Sequence, residues 1–219
     1  MNCVLLGFAL AIVAFNQDCT EMQARFADGE IDREGIRKFF RRMSRGGLTH
    51  YLVNPNCHNT AYDSKVWDSV WHEDPRLRPT GHLRQFDRSR ILHEKGIDWV
   101  GEIVALCREQ GVSPWISMRM NDVHSIAENL QFAQSSYYLD HPEFGRAYGK
   151  EKERSCNRGW DYGRPEVRAR SLALAREMLG KWDVDGFECD WMRYHRNVTD
   201  EAERDGSGRA FLTAYMREM

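Results

Sequence analysis

At 219 residues the chain is long enough to bury a full hydrophobic core, in one domain or in two. The net charge of −2 gives no reason to expect nucleic acid or an anionic membrane as a partner. Six cysteines without a C-x-x-C pair argue against a structural zinc site and a small disulfide scaffold. Phosphate-binding loops, nucleophile elbows and G-x-G-x-x-G turns are absent from the sequence, which argues against nucleotide hydrolases, serine hydrolases and dinucleotide enzymes.

The N-terminal stretch from Val4 to Phe15 is almost wholly apolar and fits two interpretations. It is too short for a transmembrane helix, and we expect no membrane span. It fits the apolar part of a signal peptide, with residues 1–12 as a leader remnant, although no Lys or Arg precedes it. It also fits a buried first strand, Leu10 to Phe15, that ends in a polar cluster. We favour the strand because later strands end in the same way. Whether the protein is cytoplasmic or exported stays open.

Helical and strand patterns alternate along the rest of the chain. Strands are predicted from Leu48 to Val53, from Ser113 to Met118, and at the stretch that begins at Val184. Apolar residues at helical spacing predict four helices, and their stripes are Ile36, Phe39, Phe40 and Met43; Ile97, Val100, Val104 and Cys107; Val167, Leu174, Met178 and Trp182; and Phe211, Leu212, Tyr215 and Met219. Asp32 is suited to cap the first helix, and Pro165 is suited to open the third.

Four strand-loop-helix units predict an α/β fold with a parallel sheet. A complete barrel of eight such units usually takes about 250 residues, so we expect an incomplete TIM-type barrel of about four units, spanning residues 1–219 as one partial domain. The polar strand ends at Asn16, Asn54, Arg119 and Asp190 should then lie at one edge of the sheet. Such a sheet has two open sides, which favours self-association.

The fourth strand is the most informative stretch, and it reads Asp185-Gly186-Phe187-Glu188-Cys189-Asp190-Trp191-Met192-Arg193. Side chains alternate in a strand, so one face carries Phe187, Cys189 and Trp191 and the other carries Glu188 and Asp190. An apolar face packs against helices, whereas an acidic face needs water, a partner charge or a substrate. In parallel α/β folds the working residues gather at the carboxyl ends of strands.

This motif resembles the strand of glycoside-hydrolase-like (β/α)8 barrels in which an Asp-Gly-x-acid-x-Asp run ends at the catalytic mouth. The segment Trp160-Asp161-Tyr162-Gly163-Arg164-Pro165-Glu166-Val167-Arg168 is similar to the entry to the third helix of that family. The strand ends Asn54-Pro55-Asn56 and Met120-Asn121-Asp122-Val123-His124 resemble those of uncharacterised bacterial members. The resemblance implies an N-terminal part of a TIM barrel that acts on, or binds, carbohydrate, and it implies no cofactor.

The motif is also similar to the chitinase-type Asp-Gly-x-Asp-x-Asp-x-Glu strand, but Met192 stands where the catalytic Glu would be. Other barrel glycosidases place a nucleophilic carboxylate on the fourth strand, and Asp190 fits that role. The Cα atoms of Glu188 and Asp190 would lie about 6.5–7 Å apart on the same strand, with their side chains side by side and not on opposite sides of a scissile bond. One acid would therefore be the nucleophile or base, and the other an orienting group. The catalytic candidates are therefore Asp190 and Glu188, with Asp122 from the third strand as a further carboxylate.

The substrate-binding candidates are the other polar or aromatic residues at strand ends, namely Asn16, Asp18, Asn54, Asn56, His58, Arg119, Asn121, His124, Trp160, Trp191 and Arg193. Arg119 or Arg193 would keep the acids ionised by charge pairing. Each assignment has a structural alternative: Glu188–Arg193 or Asp190–Arg119 as ordinary ion pairs, Asp122 as a helix cap, and His58 and His124 as plain loop histidines. A metal-dependent hydrolase would need a His-x-His at the first strand end, which is absent, and we expect no metal site.

Loop aromatics supply the last signal. Trp67, Trp71, Trp160 and Tyr162 follow the second and third strands, and we expect at least one of them to be exposed near the acidic strand end, where rings stack on sugars. The alternative is that these rings pack in the core. Two functions stay open: a glycosidase, and a carbohydrate-binding or catalytically inactive barrel. We expect carbohydrate as the ligand and no nucleic acid.

Overall fold

The computed structural model describes residues 11–72, 74, 76, 84–122, 135–146, 159–192 and 196–219. Its centre is a four-stranded sheet in which every pair is parallel and the order follows the chain. The strands are β1 (Ala14–Gln17), β2 (His50–Val53), β3 (Ser113–Arg119) and β4 (Gly186–Asp190). The four parallel strands alternate with helices, so the fold is α/β and of the TIM-barrel type, present as an incomplete barrel. The predicted architecture is confirmed.

Within the described residues, two α-helices follow each strand. The second helix has at least eleven residues in every unit. The first has five or six residues, except after β2, where it has eleven. They are α1 (Glu21–Arg25), α2 (Arg33–Met43), α3 (Arg84–Glu94), α4 (Trp99–Glu109), α5 (Ser136–Asp140), α6 (Pro165–Lys181), α7 (Asp200–Asp205) and α8 (Ser207–Glu218), with a 3₁₀ helix at Pro142–Phe144. The four predicted helices correspond to α2, α4, α6 and α8. As predicted, Asp32 caps α2, and its carboxylate accepts a hydrogen bond from the Gly35 amide (2.9 Å).

Helix α3 was missed because its sequence looks like a charged loop. Only Phe86 and Leu92 of its apolar residues are buried, whereas Arg88 and Ser89 are buried beside them. The Arg88 guanidinium donates to the backbone carbonyls of Gln23 (2.7 Å) and Ala24 (3.1 Å). A buried arginine that satisfies the last carbonyls of α1 therefore replaces part of the apolar stripe that a sequence pattern requires.

The sheet has two faces with different surroundings. On the outer face Tyr51, Val53, Ile116 and Met118 are fully buried and belong to the main hydrophobic cluster. Helix α4 packs on β2 and β3, and α2 packs on α4. The inner face carries the neighbouring residues of each strand, among them Trp115, Ser117, Glu188 and Asp190. The predicted division of β4 is confirmed, because Phe187 and Cys189 pack against the outer cluster.

Strand β1 ends later than predicted, at Gln17 instead of Phe15. The polar residues Asn16 and Gln17 pair with Leu52 and Val53 of β2 and continue the strand. Gln17 is fully buried, and its side-chain oxygen accepts a hydrogen bond from the Tyr51 hydroxyl (2.7 Å). A polar residue with a buried partner is thus part of the strand, and polarity alone did not mark the strand end. Leu10, the predicted first residue, lies outside the described residues.

Among the helices of the described residues, none has both the length and the apolar composition needed to cross a membrane.

Candidate functional site

The carboxyl ends of the four strands lie at one edge of the sheet, as predicted. Asn16 lies in β1, Asn54 directly follows β2, and Arg119 and Asp190 are the last residues of β3 and β4. Because the strands are parallel and in register, the residues that follow these ends lie at the same edge of the sheet, next to its inner face. This edge, with the inner-face residues below it, is the candidate site.

A hydrogen bond joins the first and last strands across the inner face. The Asn16 side-chain amide donates to Glu188 Oε2 at 2.9 Å and lies 3.5 Å from the Ser117 hydroxyl. In a flat sheet the backbones of β1 and β4 would be about 14 Å apart, and their inner side chains would run parallel. The contact therefore requires a curled sheet whose inner side chains converge, as in the wall of a barrel.

Asp190 lies one inner-face position beyond Glu188, at the very end of β4. It is partly exposed, and its Oδ1 accepts a hydrogen bond from the Met192 amide (2.9 Å). Met192 is 82% exposed. Trp191 points the other way and makes edge contacts with Tyr162 (4.8 Å) and Tyr215 (5.9 Å). Asp190 thus keeps a solvent-accessible carboxylate while its neighbour Trp191 packs against the helical layer.

Arg119 forms the ionic centre of the site. Its guanidinium contacts the carboxylate of Asp122 at 2.5 Å and that of Asp18. The side chains of Arg119 and Asp122 are 6% and 2% exposed, whereas that of Asp18 is 49% exposed. Burial alone would lower the pKa of Arg119, but the charges of Asp122 and Asp18 outweigh it, and the pKa is raised. Arg119 therefore stays charged and holds Asp18 at the open side of the edge.

These ion pairs differ from one of the sequence interpretations. The sequence allowed an Arg119–Asp190 pair, whereas the structure pairs Arg119 with Asp18 and Asp122. Asp122 is bound through Arg119 and is too deeply buried to meet a ligand directly. Arg193 and His124, the remaining candidates of this group, lie outside the described residues.

Asn56 extends the sheet beyond β2 with its side chain. Its Oδ1 accepts from the Arg119 amide (3.0 Å), and its Nδ2 donates to the Arg119 carbonyl (2.8 Å). Both groups are the ones that a neighbouring strand would bind. Asn54 in turn accepts a hydrogen bond from the Asn56 amide (3.2 Å). The two asparagines are buried and support the carboxyl edge of the sheet from the protein interior.

His58, Asn121 and Trp160 form a buried layer beside the ionic centre. Asn121 binds the backbone of Trp160 twice, at 2.7 Å and 3.0 Å, and the side chain of Asn197 at 3.0 Å. The His58 ring is 2% exposed and lies edge-on to Tyr138 at 5.8 Å. These three candidates are brought together, but in the interior, where they fix the loops after β2 and β3.

The expectation that at least one of the four loop aromatics is exposed near Asp190 is wrong. Trp67, Trp160 and Tyr162 are 6%, 4% and 1% exposed. They pack in the main cluster, and the Arg170 guanidinium lies 5.2 Å from the Trp67 ring. Trp71 stacks on His93 at 5.1 Å and lines a cleft of about 520 Å³ between α3, α4 and α6. The described residues that line this cleft do not include Asp190.

Sequence reasoning missed three residues of the edge, namely Ser117, Cys19 and Cys57. Ser117 shares a face with Trp115 and Arg119 at strand spacing, so the alternation of β3 was a usable signal. The cysteines follow β1 and β2, and both are partly buried and carry free thiols. No spacing rule connects cysteines so far apart in the chain. No group of three or more metal-binding side chains occurs within the described part of the chain.

No protein-family model matches the chain, and none of the curated proteins matches it. Among solved structures, a hypothetical protein from Ruminiclostridium thermocellum is 12% identical, with a TM-score of 0.51 over 95% of this chain and 93% of that one. Alpha-L-fucosidase isoenzyme 2 from Paenibacillus thiaminolyticus is 12% identical, with a TM-score of 0.53 over 94% of this chain and 29% of the fucosidase. A GH36 alpha-galactosidase from Geobacillus stearothermophilus has a TM-score of 0.47 and 13% identity over 86% of this chain and 24% of its own. At this identity the likeness shows the fold alone, which is that of an incomplete TIM-type barrel.

Proposed function

We propose that the chain binds carbohydrate at the carboxyl edge of its sheet and that its barrel performs glycoside hydrolysis with Asp190 as nucleophile or base. The observation that carries the proposal is the partly exposed carboxylate of Asp190 at the end of β4, in a glycoside-hydrolase-like fold. Carboxylates in this position accept hydrogen bonds from sugar hydroxyls and attack or activate at the anomeric carbon.

The roles of the other acids follow from their partners. Glu188 accepts a hydrogen bond from Asn16 and lies deeper on the inner face, which suits an orienting group. Asp122 acts in support, because it is buried against Arg119, which in turn holds Asp18. Asp18, directly after β1, thereby brings a further carboxylate to the edge, where it can accept hydrogen bonds from sugar hydroxyls.

We also propose that these four units are the N-terminal part of a larger barrel. Within the described residues β1 and β4 each have one edge without a partner strand. Glycosidases need a second carboxyl group on the opposite side of the scissile bond. Further strands would supply it, and we expect no measurable hydrolysis by residues 1–219 alone.

Carbohydrate binding without hydrolysis is the second candidate, and one observation favours it. Of the described acids at this edge, Glu188 and Asp190 lie side by side on one strand, and Asp18 and Asp122 are paired with Arg119. No two of them stand free on opposite sides of a glycosidic bond. A binding protein needs only the hydrogen-bonding groups.

The first experiment measures binding by calorimetric titration with a panel of monosaccharides and disaccharides that includes L-fucose. Asp190→Asn should weaken binding of the preferred sugar about 10- to 100-fold, because a hydrogen bond to a charged group contributes about 1.5–3 kcal/mol. The matched control is Asp185→Asn, the same change at the other end of β4, which should leave the affinity unchanged. Equal loss in both variants, or wild-type affinity in Asp190→Asn, would contradict the assignment.

The second experiment separates hydrolysis from binding. In a barrel completed by its further strands, Asp190→Asn should lower kcat at least about 10²-fold on the sugar selected by titration, because one acid-base group contributes that much. Its melting temperature should barely fall or should rise, since active-site charges often reduce stability. Unchanged turnover with a clear drop in melting temperature would assign Asp190 to a structural ion pair. Sugar binding without product would select the second candidate.

A further inference from the structure

The cleft of about 520 Å³ between α3, α4 and α6 is separate from the carboxyl edge of the sheet. None of the candidate residues of that edge is among the described residues that line it. Small-molecule sites in proteins have volumes of about 300–1,000 Å³, so the cleft is large enough for a ligand of the size of a monosaccharide. The proposed function does not use this cleft.

Two aromatic side chains at the base of the cleft are fixed by the protein. Trp99 is 2% exposed, and its indole donates a hydrogen bond to the Ala61 carbonyl (2.7 Å). Tyr62 is 5% exposed, its hydroxyl donates to Glu177 (2.8 Å), and its ring lies edge-on to that of Trp182 at 4.9 Å. The base of the cleft is therefore preformed and largely apolar, as is usual for ligand sites.

One wall of the cleft is a stack of two rings. The rings of Trp71 and His93 lie 5.1 Å apart, with an angle of 21° between their planes. Trp71 is half-buried and packs against Val70 and Phe86, whereas His93 is exposed. Because one side of the imidazole rests on Trp71, its exposed part is the other side. The stack thus offers a flat surface on which a further flat group can pack.

The carboxylates that line the cleft already have partners in the protein. Glu177 accepts three hydrogen bonds from residues 62–65, at 2.5–2.8 Å. Asp98 accepts one from a backbone amide (3.2 Å) and one from an indole (2.9 Å). Asp63 accepts a hydrogen bond from the Lys65 ammonium (2.6 Å). The acceptors of the cleft are therefore mostly occupied, which disfavours a cationic ligand.

The Lys181 ammonium differs from these acids. It lies 5.7 Å from the Trp182 ring, and in the part of the chain that the structure describes it forms neither a hydrogen bond nor an ion pair. The hydrogen bond from Lys65 is the largest cause of the lowered pKa of Asp63, and the charges of His93 and Lys181 lower it further. An ammonium has three donors, so the group left for a ligand in this cleft is a cationic donor.

We propose that this cleft binds a small organic anion, namely a carboxylate carried on a body with one flat apolar face. Lys181 donates to the carboxylate, and the stack of Trp71 and His93 packs against the flat face. Two sources share this chemistry: an acidic sugar, whose ring has a face of C–H groups, and an aromatic carboxylate. The proposal does not rest on the proposed function, because the cleft and the carboxyl edge share no described residue.

The experiment is calorimetric titration of residues 1–219 with three probes, namely D-glucuronate, D-glucose and benzoate. Glucose has the ring of glucuronate without its carboxylate. We expect one molecule of glucuronate or of benzoate to bind per chain, and the probe that binds more tightly identifies the source. Glucose should bind at least about tenfold more weakly than glucuronate at this cleft, because a hydrogen bond between two charged groups is stronger than one to a neutral group. Absence of binding by both anions would overturn the proposal.

Titration of Asp190→Asn separates the cleft from the carboxyl edge. The affinity for the anion should be unchanged in this variant, because Asp190 does not line the cleft. Glucose that binds Asp190→Asn as tightly as glucuronate does would show that the carboxylate has no role in the cleft, and the proposal would be wrong. A loss of anion binding in Asp190→Asn, with none in Lys181→Met, would place the anion at the carboxyl edge and would equally refute it.

Two variants with matched controls test the roles of the cleft residues. Lys181→Met should weaken anion binding about 10- to 100-fold, the effect of losing a hydrogen bond between charged groups, whereas Lys38→Met, at an exposed lysine of α2, should not change it. His93→Ala should weaken binding about 2- to 10-fold through lost stacking, whereas His72→Ala, at an exposed histidine that does not line the cleft, should not.

The four substituted side chains are exposed, so the variants should fold, and circular dichroism verifies this. Wild-type affinity in Lys181→Met, or equal loss in Lys181→Met and Lys38→Met, would contradict the proposal. Such a result would leave the proposed function untouched, since that function is decided by the effect of Asp190→Asn on sugar binding.

Discussion

The side-chain amide of Asn16 donates a hydrogen bond to Glu188 at 2.9 Å and so connects the first strand of the sheet to the fourth. The two residues are separated by two intervening strands, and Ser117 of β3 lies beside them at 3.5 Å from Asn16. This contact shows how far the sheet curls. It also assigns Glu188 a protein partner, whereas the carboxylate of Asp190 accepts only a backbone amide among the hydrogen bonds of the described residues.

A double-mutant cycle measures the contact between Asn16 and Glu188. Asn16→Ala and Glu188→Ala remove one partner each, and their combined effect on the free energy of unfolding should fall short of the sum by about 0.5–1.5 kcal/mol. The readout is urea-induced unfolding of the wild type, both single variants and the double variant. Additivity within about 0.3 kcal/mol would show that the two side chains do not interact in solution.

The Arg119–Asp122 pair should be costly to break from one side. Arg119→Met leaves the carboxylate of Asp122 buried without its cation, and we expect a loss of about 3–5 kcal/mol in unfolding free energy. The double variant Arg119→Met/Asp122→Asn should recover a large part of this loss, because no charge is then left buried. A loss below about 1 kcal/mol in the single variant would show that Asp122 finds another partner or water.

Gly186 is required because of the ring that lies against it. A Cβ at this position would meet the Trp115 ring at 2.3 Å, so Gly186→Ala should destabilise the fold by about 1–3 kcal/mol. Gly180→Ala is the control: nothing lies within 4 Å of its Cβ, and the change in α6 should stabilise by about 0.4–1 kcal/mol. In a Trp115→Leu background the effect of Gly186→Ala should be smaller, measured as the difference between Trp115→Leu and the double variant Trp115→Leu/Gly186→Ala. Urea unfolding of the four variants is the measurement, and equal effects at both glycines would refute the argument.

The contribution of Asp161 to the stability of the fold should depend on pH, and the shift of its pKa sets the sign of that dependence. Burial raises its pKa above the usual value, although the Gly163 amide and nearby arginines act in the other direction. The stability that such a group contributes is complete below its unfolded pKa and is lost as pH rises through the raised folded value. Asp161→Asn keeps an oxygen for the Gly163 amide, so the variant should gain stability relative to wild type as pH rises above about 4.

Asp185→Asn is the matched control for this pH profile. The Ser113 hydroxyl and the Arg108 guanidinium lower the pKa of Asp185. Its contribution is therefore present above the unfolded pKa and is lost as pH falls through the lowered folded value. The stability difference between variant and wild type should then run in the opposite direction to that of Asp161→Asn. Thermal unfolding between about pH 3 and 7 tests both, and parallel slopes would contradict the two assignments.

The sequence predicted the elements whose apolar residues follow one period. The stripes of α2, α4, α6 and α8 and the alternation of β4 report burial directly, because one face of each element meets the same core. It did not predict that Arg88 is buried in α3 or that Gln17 lies within β1. In both cases a polar side chain is buried because a distant partner satisfies it, and a local pattern contains no information about that partner.

The candidate site, like the fold, was predicted from the sequence only in part. The strand ends that carry Asn16, Arg119 and Asp190 followed from the repeat of strands, and their common edge followed from parallel pairing. The pairing of Arg119 with Asp18 and Asp122 depends on side-chain directions after the strands end, where alternation no longer applies. The burial of Trp160 has the same origin, since the fold of its loop is set by Asn121 and not by its own sequence.

The Asn56 side chain has a mechanical consequence for this edge. By binding both the amide and the carbonyl of Arg119, it fixes the loop after β2 to the last residue of β3 through two hydrogen bonds. A hinge motion of that loop relative to β3 would have to break two buried hydrogen bonds at once, so the loop and the strand end move as one rigid unit. Any displacement imposed at Cys57 is therefore transmitted to the arginine that positions Asp18.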